Sequence, residues 1–537
     1  MILSRIRIIH PLLFSIYPVL FLFSENISEV YVRDILIPLV LVLTLAFIIW
    51  VGVGIVLKNW YKAAFIASLS VLMLLFFRHA YEALLMLIRP TVISRGTVLA
   101  GWLIFYLILA LVIMRIKGNM PLATKLANFL SVVLLVLACV NIVAFYLRPK
   151  LYGIRPQIER FTKLDQKDLS WIKKRQNLTG QKRPDVYYLI LDGYGRADAI
   201  ETHYGFDNRD FLDRLQSKGF HIYDRATSNY SYTHESITSS LNMDYIHDEH
   251  FEPERSQLPN LILHNKLAQL FRTLGYKYIL VPSGFFITDR SPLADIKIDL
   301  EIWTQSQFLA LLVESSALWF SWKWFNELSA ARNEGIIVGA FEGKGIMAQW
   351  HRHIEGSIAE IPQIAQNSES TFTFAHIICP HPPYVFKRDG SLNTSAKMAD
   401  LGGFDYFNYW HLSDQFVDQL IHFNKLIEEM LEKLLETSPE PPIIIVQGDH
   451  GTSYLGEEGG GATLSPSVAH INERMSILLA CYAPEKVIDS LYDSVSPVNI
   501  FRVVLNECFD AGYELLPDRN YWSHGRPMID VTDRVIK

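Results

Sequence analysis

Asp449 and His450 stand side by side directly after the apolar, β-favouring run Ile443–Val446. A carboxylate beside an imidazole suits a divalent ion such as Zn²⁺ or Mn²⁺. Far upstream, the apolar run Val186–Leu191 ends in Asp192-Gly193. Ligands of open α/β sheets collect beyond the carboxyl ends of the strands. The two strand ends are therefore expected to meet and share a metal ion. Between them lies SNYSYTHESITSSLNM, residues 228–243, rich in hydroxyls and aromatic rings. Ile237 and Leu241 are spaced as on one helix face, which predicts a helix starting near Thr233. A hydroxyl there is either a plain helix cap or, on a metal at an anion-favouring helix N-terminus, a nucleophile toward phosphorus. In HIICPHPPY, residues 376–384, prolines fix the loop and hold His376 and His381. Histidines at a strand end suit a phosphate or a leaving-group oxygen, or else are structural. His470 is a further candidate.

The elements that must position these residues read as an α/β domain. Val186–Leu191, Ser370–Ile378 and the Ile443–Val446 run are predicted strands, with a short one at Phe220–Asp224. Helices are predicted over Asp207–Lys218 and Leu412–Thr437, and residues 261–282 read as helix then strand, broken at Gly275. The MSILLACY stretch, from Met475, is a further strand. GEEGGGA, residues 456–462, reads as a mobile loop.

The first part of the chain differs. Over 537 residues 50% are hydrophobic and 19% charged, but apolar runs dominate before about residue 150. Five are candidates to span a bilayer: Ile9–Phe23, Ile35–Leu57, Tyr61–Phe77, Thr97–Met114 and Leu126–Leu147. An amino terminus in the cytoplasm puts Arg5, Arg7, Lys58, Lys62, Arg115, Lys117 and Lys125 inside, against Arg33, Arg78, Arg89 and Arg95 outside. An odd number of spans then leaves the rest of the chain outside the cytoplasmic membrane. Residues 148–183 are polar, basic and partly amphipathic: a solvated linker or a surface-lying segment. Ala310–Phe325 is apolar and rich in tryptophan, but its Glu314 and Lys323 favour a buried or interface-dipping helix over a sixth span. The net charge of −6 argues against general nucleic-acid binding. Cys139, Cys379, Cys481 and Cys508 have neither disulfide-framework nor metal spacing. Few charges interrupt the apolar runs, which disfavours a transporter.

LDGYG at 191–195, YTHES at 232–236, HIICPHPPY at 376–384 and QGDHG at 447–451 together resemble the sulfatase-like branch of the alkaline phosphatase superfamily. The match is nearest to its membrane members, lipoteichoic acid synthase and the phosphoethanolamine transferases. The resemblance implies an α/β sulfatase-like catalytic domain, a central mostly parallel sheet flanked by helices, at 184–537. It follows an all-α bundle of five transmembrane helices at 1–150 and a linker at 151–183. It further implies one divalent metal, Zn or Mn, held by Asp192, Thr233, Asp449 and His450, with a second metal possible. Thr233 would be the nucleophile that becomes phosphorylated, and His381, with His376, would contact the phosphate. Asp192 stands where the membrane transferases usually offer glutamate. The sulfatase nucleophile motif is missing, which disfavours sulfate-ester hydrolysis.

The function these readings predict is transfer of a phospho-alcohol headgroup, phosphoethanolamine or phosphoglycerol. The donor would be a membrane phospholipid, and the acceptor a cell-surface glycan or glycolipid. The site would be a multi-pass protein of the bacterial inner membrane, with its catalytic domain periplasmic. The rivals are a membrane-anchored phosphodiesterase or sulfatase-like hydrolase, and a non-catalytic assembly or sensing protein.

Overall fold

The computed structural model describes residues 8–536 apart from 28–29, 31, 88–94, 119, 152–159, 177–182, 248–252, 286, 299–307, 310, 314, 319–320, 322–343, 396–405, 457–465 and 524–526. The chain divides into two units: Met1–Ile154 with Trp303–Ala340, and Arg155–Ile302 with Phe341–Lys537.

In the first unit all five expected apolar runs are helical. Three helices are long and apolar enough to cross a membrane: Val32–Leu57, Gly96–Arg115 and Pro121–Phe145. The other two, His10–Glu25 and Trp60–Leu75, have 16 residues each. At about 1.5 Å per residue they reach about 24 Å, short of a hydrocarbon core about 30 Å thick. Among the described residues, three of the five expected spans are thus long enough by themselves, and the other two are shorter apolar helices.

The second unit is built on a seven-stranded sheet. Its strands are β1 (Val186–Leu191), β2 (His221–Ile222), β3 (Lys277–Val281), β4 (Ile296–Lys297), β5 (Thr371–Ile377), β6 (Ile443–Gly448) and β7 (Leu479–Tyr482). Their order is β2-β7-β6-β1-β5-β3-β4. β6, β1, β5, β3 and β4 run parallel, and β7 and β2 pair antiparallel. The sheet is thus mixed, with the expected parallel centre. β1 lies between β5 and β6 and is buried along its whole length. That is why it reads as an unbroken apolar run rather than an alternating one. Its Tyr187, Leu189 and Leu191 enter one core, with the helices Lys344–Ile364 and Ser413–Thr437. Its Val186, Tyr188 and Ile190 enter another, with Lys266–Thr273 and Pro497–Phe509.

Two segments stand as follows against the expected boundaries. The 151–183 linker is not simply solvated: its helix Gln166–Gln176 buries Trp171 and Ile172 in the second of these cores. The expected 184–537 domain is interrupted, because residues 303–340 cluster with the first unit. There Phe308 and Leu312 share an apolar cluster with Val19, Leu22 and Phe23. Much of Ala310–Phe325, including Glu314 and Lys323, and all but Gly456 of the GEEGGGA loop lie outside the described residues.

The register sets the site. Leu191 of β1 pairs with Ile377 of β5 and with Gly448 of β6. Asp192 and Asp449 therefore leave the sheet at one level, with His376 two residues behind. Glycine lets the chain turn there. A Cβ on Gly448 would come within 2.3 Å of the Tyr194 carbonyl oxygen, and one on Gly451 within 2.0 Å of the Glu473 carbonyl oxygen. Gly451→Ala should therefore destabilise the protein by about 1–3 kcal/mol or more, read as a lower denaturation midpoint of the purified full-length chain.

Candidate active site

Asp449 is held from three directions. Its Oδ1 accepts from the Gly193 N–H at 2.9 Å, which ties the ends of β6 and β1 together. Its carbonyl accepts from the hydroxyls of Ser228 and Ser236, each at 2.6 Å. Its Oδ2 has no hydrogen-bond partner among the described residues. Asp192 Oδ1 and His376 Nε2 are likewise buried and without one. Asp192, His376 and Asp449 form a buried group whose ligand atoms all lie within 4.8 Å of one another. His376 Nε2 is 3.3 Å from Asp192 Oδ2.

His450 faces the same group. Its Nδ1 is 2.9 Å from the Gly451 carbonyl, which can only accept, so Nδ1 carries the proton. The bare Nε2 lies 3.4 Å from Asp449 Oδ2 and 3.7 Å from Asp192 Oδ1. Thr233 opens the helix Thr233–Asn242, whose cap residue is Tyr232, so its hydroxyl is not a plain cap. Thr233 Oγ1 instead lies 3.0 Å from His450 Nε2. Arg474 Nη2 is also 3.0 Å from that nitrogen, and two donors converge on one lone pair.

Lone-pair-bearing atoms of two acids and two imidazoles thus face one another in a buried space. The Arg474 guanidinium offsets part of the repulsion in such a set, and a cation among the acids and imidazoles would offset more. Nitrogen and carboxylate donors in this number fit a divalent ion of the Zn²⁺ or Mn²⁺ type. Among the described residues this is the one acid–histidine group of its kind.

Protonation follows burial. The Asp192 carboxyl is pushed up to about 7, first by burial and then by Asp449. His376 is lowered to about 4 by burial, with Asp449 opposing. His450 is held well below its ordinary value by burial and the nearby Arg474 charge. His381 is lowered by burial against the pull of Asp192. The histidines are thus neutral near pH 7, the form that ligates.

The other expected residues are placed as follows. The His381 ring centroid is 6.3 Å from that of His450 and 5.1 Å from that of Trp410. His376, expected at a phosphate, lies instead with the two acids. His470 turns its ring edge-on to Trp522, centroids 4.9 Å apart. Sequence reasoning passed over Arg474, one turn further along the same helix, Val468–Met475. It is buried, with Nε donating to the Ser231 carbonyl at 2.7 Å and Nη1 to the Gly451 carbonyl at 3.0 Å. A lone arginine before a strand has no sequence signature. Glu473 is not available as a ligand: it accepts from Thr452 Oγ1 at 2.7 Å and from the Tyr454 and Leu455 N–H groups.

No protein-family model matches the chain, and no curated protein matches it. Among solved structures it is similar to the C-terminal periplasmic domain of EcEptC from Escherichia coli in complex with Zn. The identity is 9%, over 66% of this chain and 94% of that one, at a TM-score of 0.39. It is similar to the integral membrane lipooligosaccharide phosphoethanolamine transferase A (EptA) from Neisseria meningitidis, at 12% identity over 91% of this chain and 86% of that one, TM-score 0.35. It is similar to a phosphonate monoester hydrolase of Agrobacterium radiobacter, at 13% identity over 63% and 80%, TM-score 0.36. Phosphoethanolamine transferases, to which the sequence motifs pointed, are thus among the structures this chain is similar to.

Protons and metal compete for Asp192. Below the raised carboxyl value of about 7, metal affinity should fall about tenfold per pH unit. Isothermal titration of chelator-stripped protein with Zn²⁺ between pH 5.5 and 8 should show affinity rising with pH and levelling off above 7.

Proposed function

We propose that the chain is a metal-dependent phosphotransferase of the bacterial inner membrane. It moves a phospho-alcohol headgroup from a phospholipid to a cell-surface glycan or glycolipid by way of Thr233. The observation that carries this reading is the Thr233 hydroxyl, 3.0 Å from His450 Nε2 and beside the buried acids, at the first turn of a helix. The amino-terminal end of a helix dipole favours an anionic oxygen, whether an alkoxide or a phosphoryl oxygen. Asp192, Asp449, His376 and His450 would hold one divalent ion. When bound, that ion supplies the charge that stabilises a deprotonated Thr233 and the phosphoryl oxygens.

The chain's own residues do the rest. Gly193 and the Ser228 and Ser236 hydroxyls fix Asp449, so little reorganisation is left for the reaction. Arg474 engages one acceptor from each of its nitrogens, which leaves further N–H donors on both terminal nitrogens for a phosphoryl oxygen. The charges of two carboxylates, one guanidinium and a divalent ion would leave a single positive charge, which a deprotonated Thr233 would neutralise. The span-forming helices tie the site to a membrane, where lipid headgroups are at high effective concentration.

Thr233→Ala should lower transfer by roughly three orders of magnitude or more and leave the fold intact. Thr233→Ser should retain part of it. Mass spectrometry of wild-type protein from its host should find a phosphoethanolamine or phosphoglycerol adduct on Thr233, absent from the alanine variant. Full activity of that variant excludes the mechanism. Headgroup released to water in the presence of acceptor identifies a hydrolase instead. A carboxy-terminal tag should be cut by protease added to spheroplasts; protection there would place the domain in the cytosol.

A further inference from the structure

Thr288 lies in the loop after β3, and nothing in its sequence surroundings marks it. Val281, the last residue of β3, pairs with Ala375 of β5, next to His376. The loop therefore arrives beside that histidine. Ser283 and Thr288 are both buried, so bulk water does not stand in for them.

Their hydrogen bonds form a chain with one direction. Ser283 Oγ donates to the Phe285 carbonyl at 3.1 Å and accepts from the Phe285 N–H at 2.9 Å. A hydroxyl has one proton to give. In the 2.7 Å contact between Ser283 Oγ and Thr288 Oγ1, Thr288 is therefore the donor. Its proton is then engaged, so in the 2.8 Å contact with His376 Nδ1 it accepts. His376 must hold its proton on Nδ1, and its Nε2 is bare. Nε2 is the atom that lies 3.3 Å from Asp192 Oδ2 and has no hydrogen-bond partner among the described residues.

We infer that Thr288, backed by Ser283, is a positioning residue that fixes the His376 tautomer and so keeps Nε2 as a lone pair for the metal. The opposite tautomer would aim an Nε2 proton at Asp192. Histidine and carboxylate would then satisfy each other, and the pocket would lose two ligand atoms to one internal hydrogen bond. The relay works against that collapse. The inference rests on the reading of Asp192, His376 and Asp449 as a metal site.

The test uses the full-length chain in detergent, stripped by chelator and titrated with Zn²⁺ alone. Selective ¹⁵N-histidine labelling reports which ring nitrogen of His376 is protonated. Thr288→Val should weaken Zn²⁺ binding about 10–100-fold and move the His376 proton toward Nε2. Thr288→Ser should restore both. Ser283→Ala, which removes only the far end of the relay, should shift both readouts the same way by less, about threefold to tenfold in affinity. It carries the test if Thr288→Val does not fold. Wild-type protein that binds no Zn²⁺ at this group would sink the metal reading, and the inference with it. Wild-type binding with an unchanged affinity in Thr288→Val overturns the inference alone. So does a loss of affinity with an unmoved tautomer, which would mark Thr288 as merely structural.

Discussion

The site depends on electrostatic repulsion that the fold enforces. Asp192, Asp449, His376 and His450 direct acceptor atoms at one another where water is largely excluded. At short range and low dielectric such contacts are unfavourable. A carboxyl raised to about 7 is the protein's own response when no cation is at hand. A divalent ion would remove the conflict, and Asp192, His376 and Asp449 are a group that could hold one.

What keeps the acceptors from turning away is the central sheet and its fastenings. β1 is locked between β5 and β6 in parallel register, so Asp192 and Asp449 leave the sheet at the same level. The Gly193 N–H takes up one oxygen of Asp449 and leaves the other facing inward. The Gly451 carbonyl takes up the only proton of His450. In each case a backbone group satisfies one end of a side chain and turns the other end toward the cluster. Glycine is needed at these turns because the neighbouring carbonyls of Tyr194 and Glu473 leave no room for a Cβ.

The strand ends were legible because β1 and β6 are buried on both faces, which removes the alternation and leaves apolar runs that stop at an acid. Thr233 was legible because its helix begins where the spacing of Ile237 and Leu241 begins. His376 was visible but its place beside Asp192 and Asp449 was not. A residue inside a strand declares its neighbours only once the strand order β1-β5-β3 is known. Arg474, Ser283 and Thr288 left no trace, since each acts through a contact made across the sheet or between loops. The clustering of residues 303–340 with the first unit was not legible for a related reason. The segment's composition marks it as apolar, but composition does not say which unit covers it. The shorter helices His10–Glu25 and Trp60–Leu75 show the same limit: hydropathy finds a segment more readily than it finds the helix's length.

The sign of the Asp192 shift tells what the arrangement does to stability. A carboxyl that binds its proton more tightly when folded favours the fold at low pH. That contribution is lost as pH rises from its ordinary range of about 4 through about 7. At neutral pH without a cation, the pocket therefore works against the domain that contains it. Two large cores offset this, one on each face of the sheet, where burying a single Ile, Leu or Phe contributes about 1.5–3 kcal/mol. A smaller domain would relieve the repulsion by letting a histidine rotate or a loop part, and would lose the pocket. Here the acids sit on the carboxyl ends of central strands and the histidines are pinned through their far nitrogens. Packing on both faces of the sheet thus holds the acceptors together rather than letting them part.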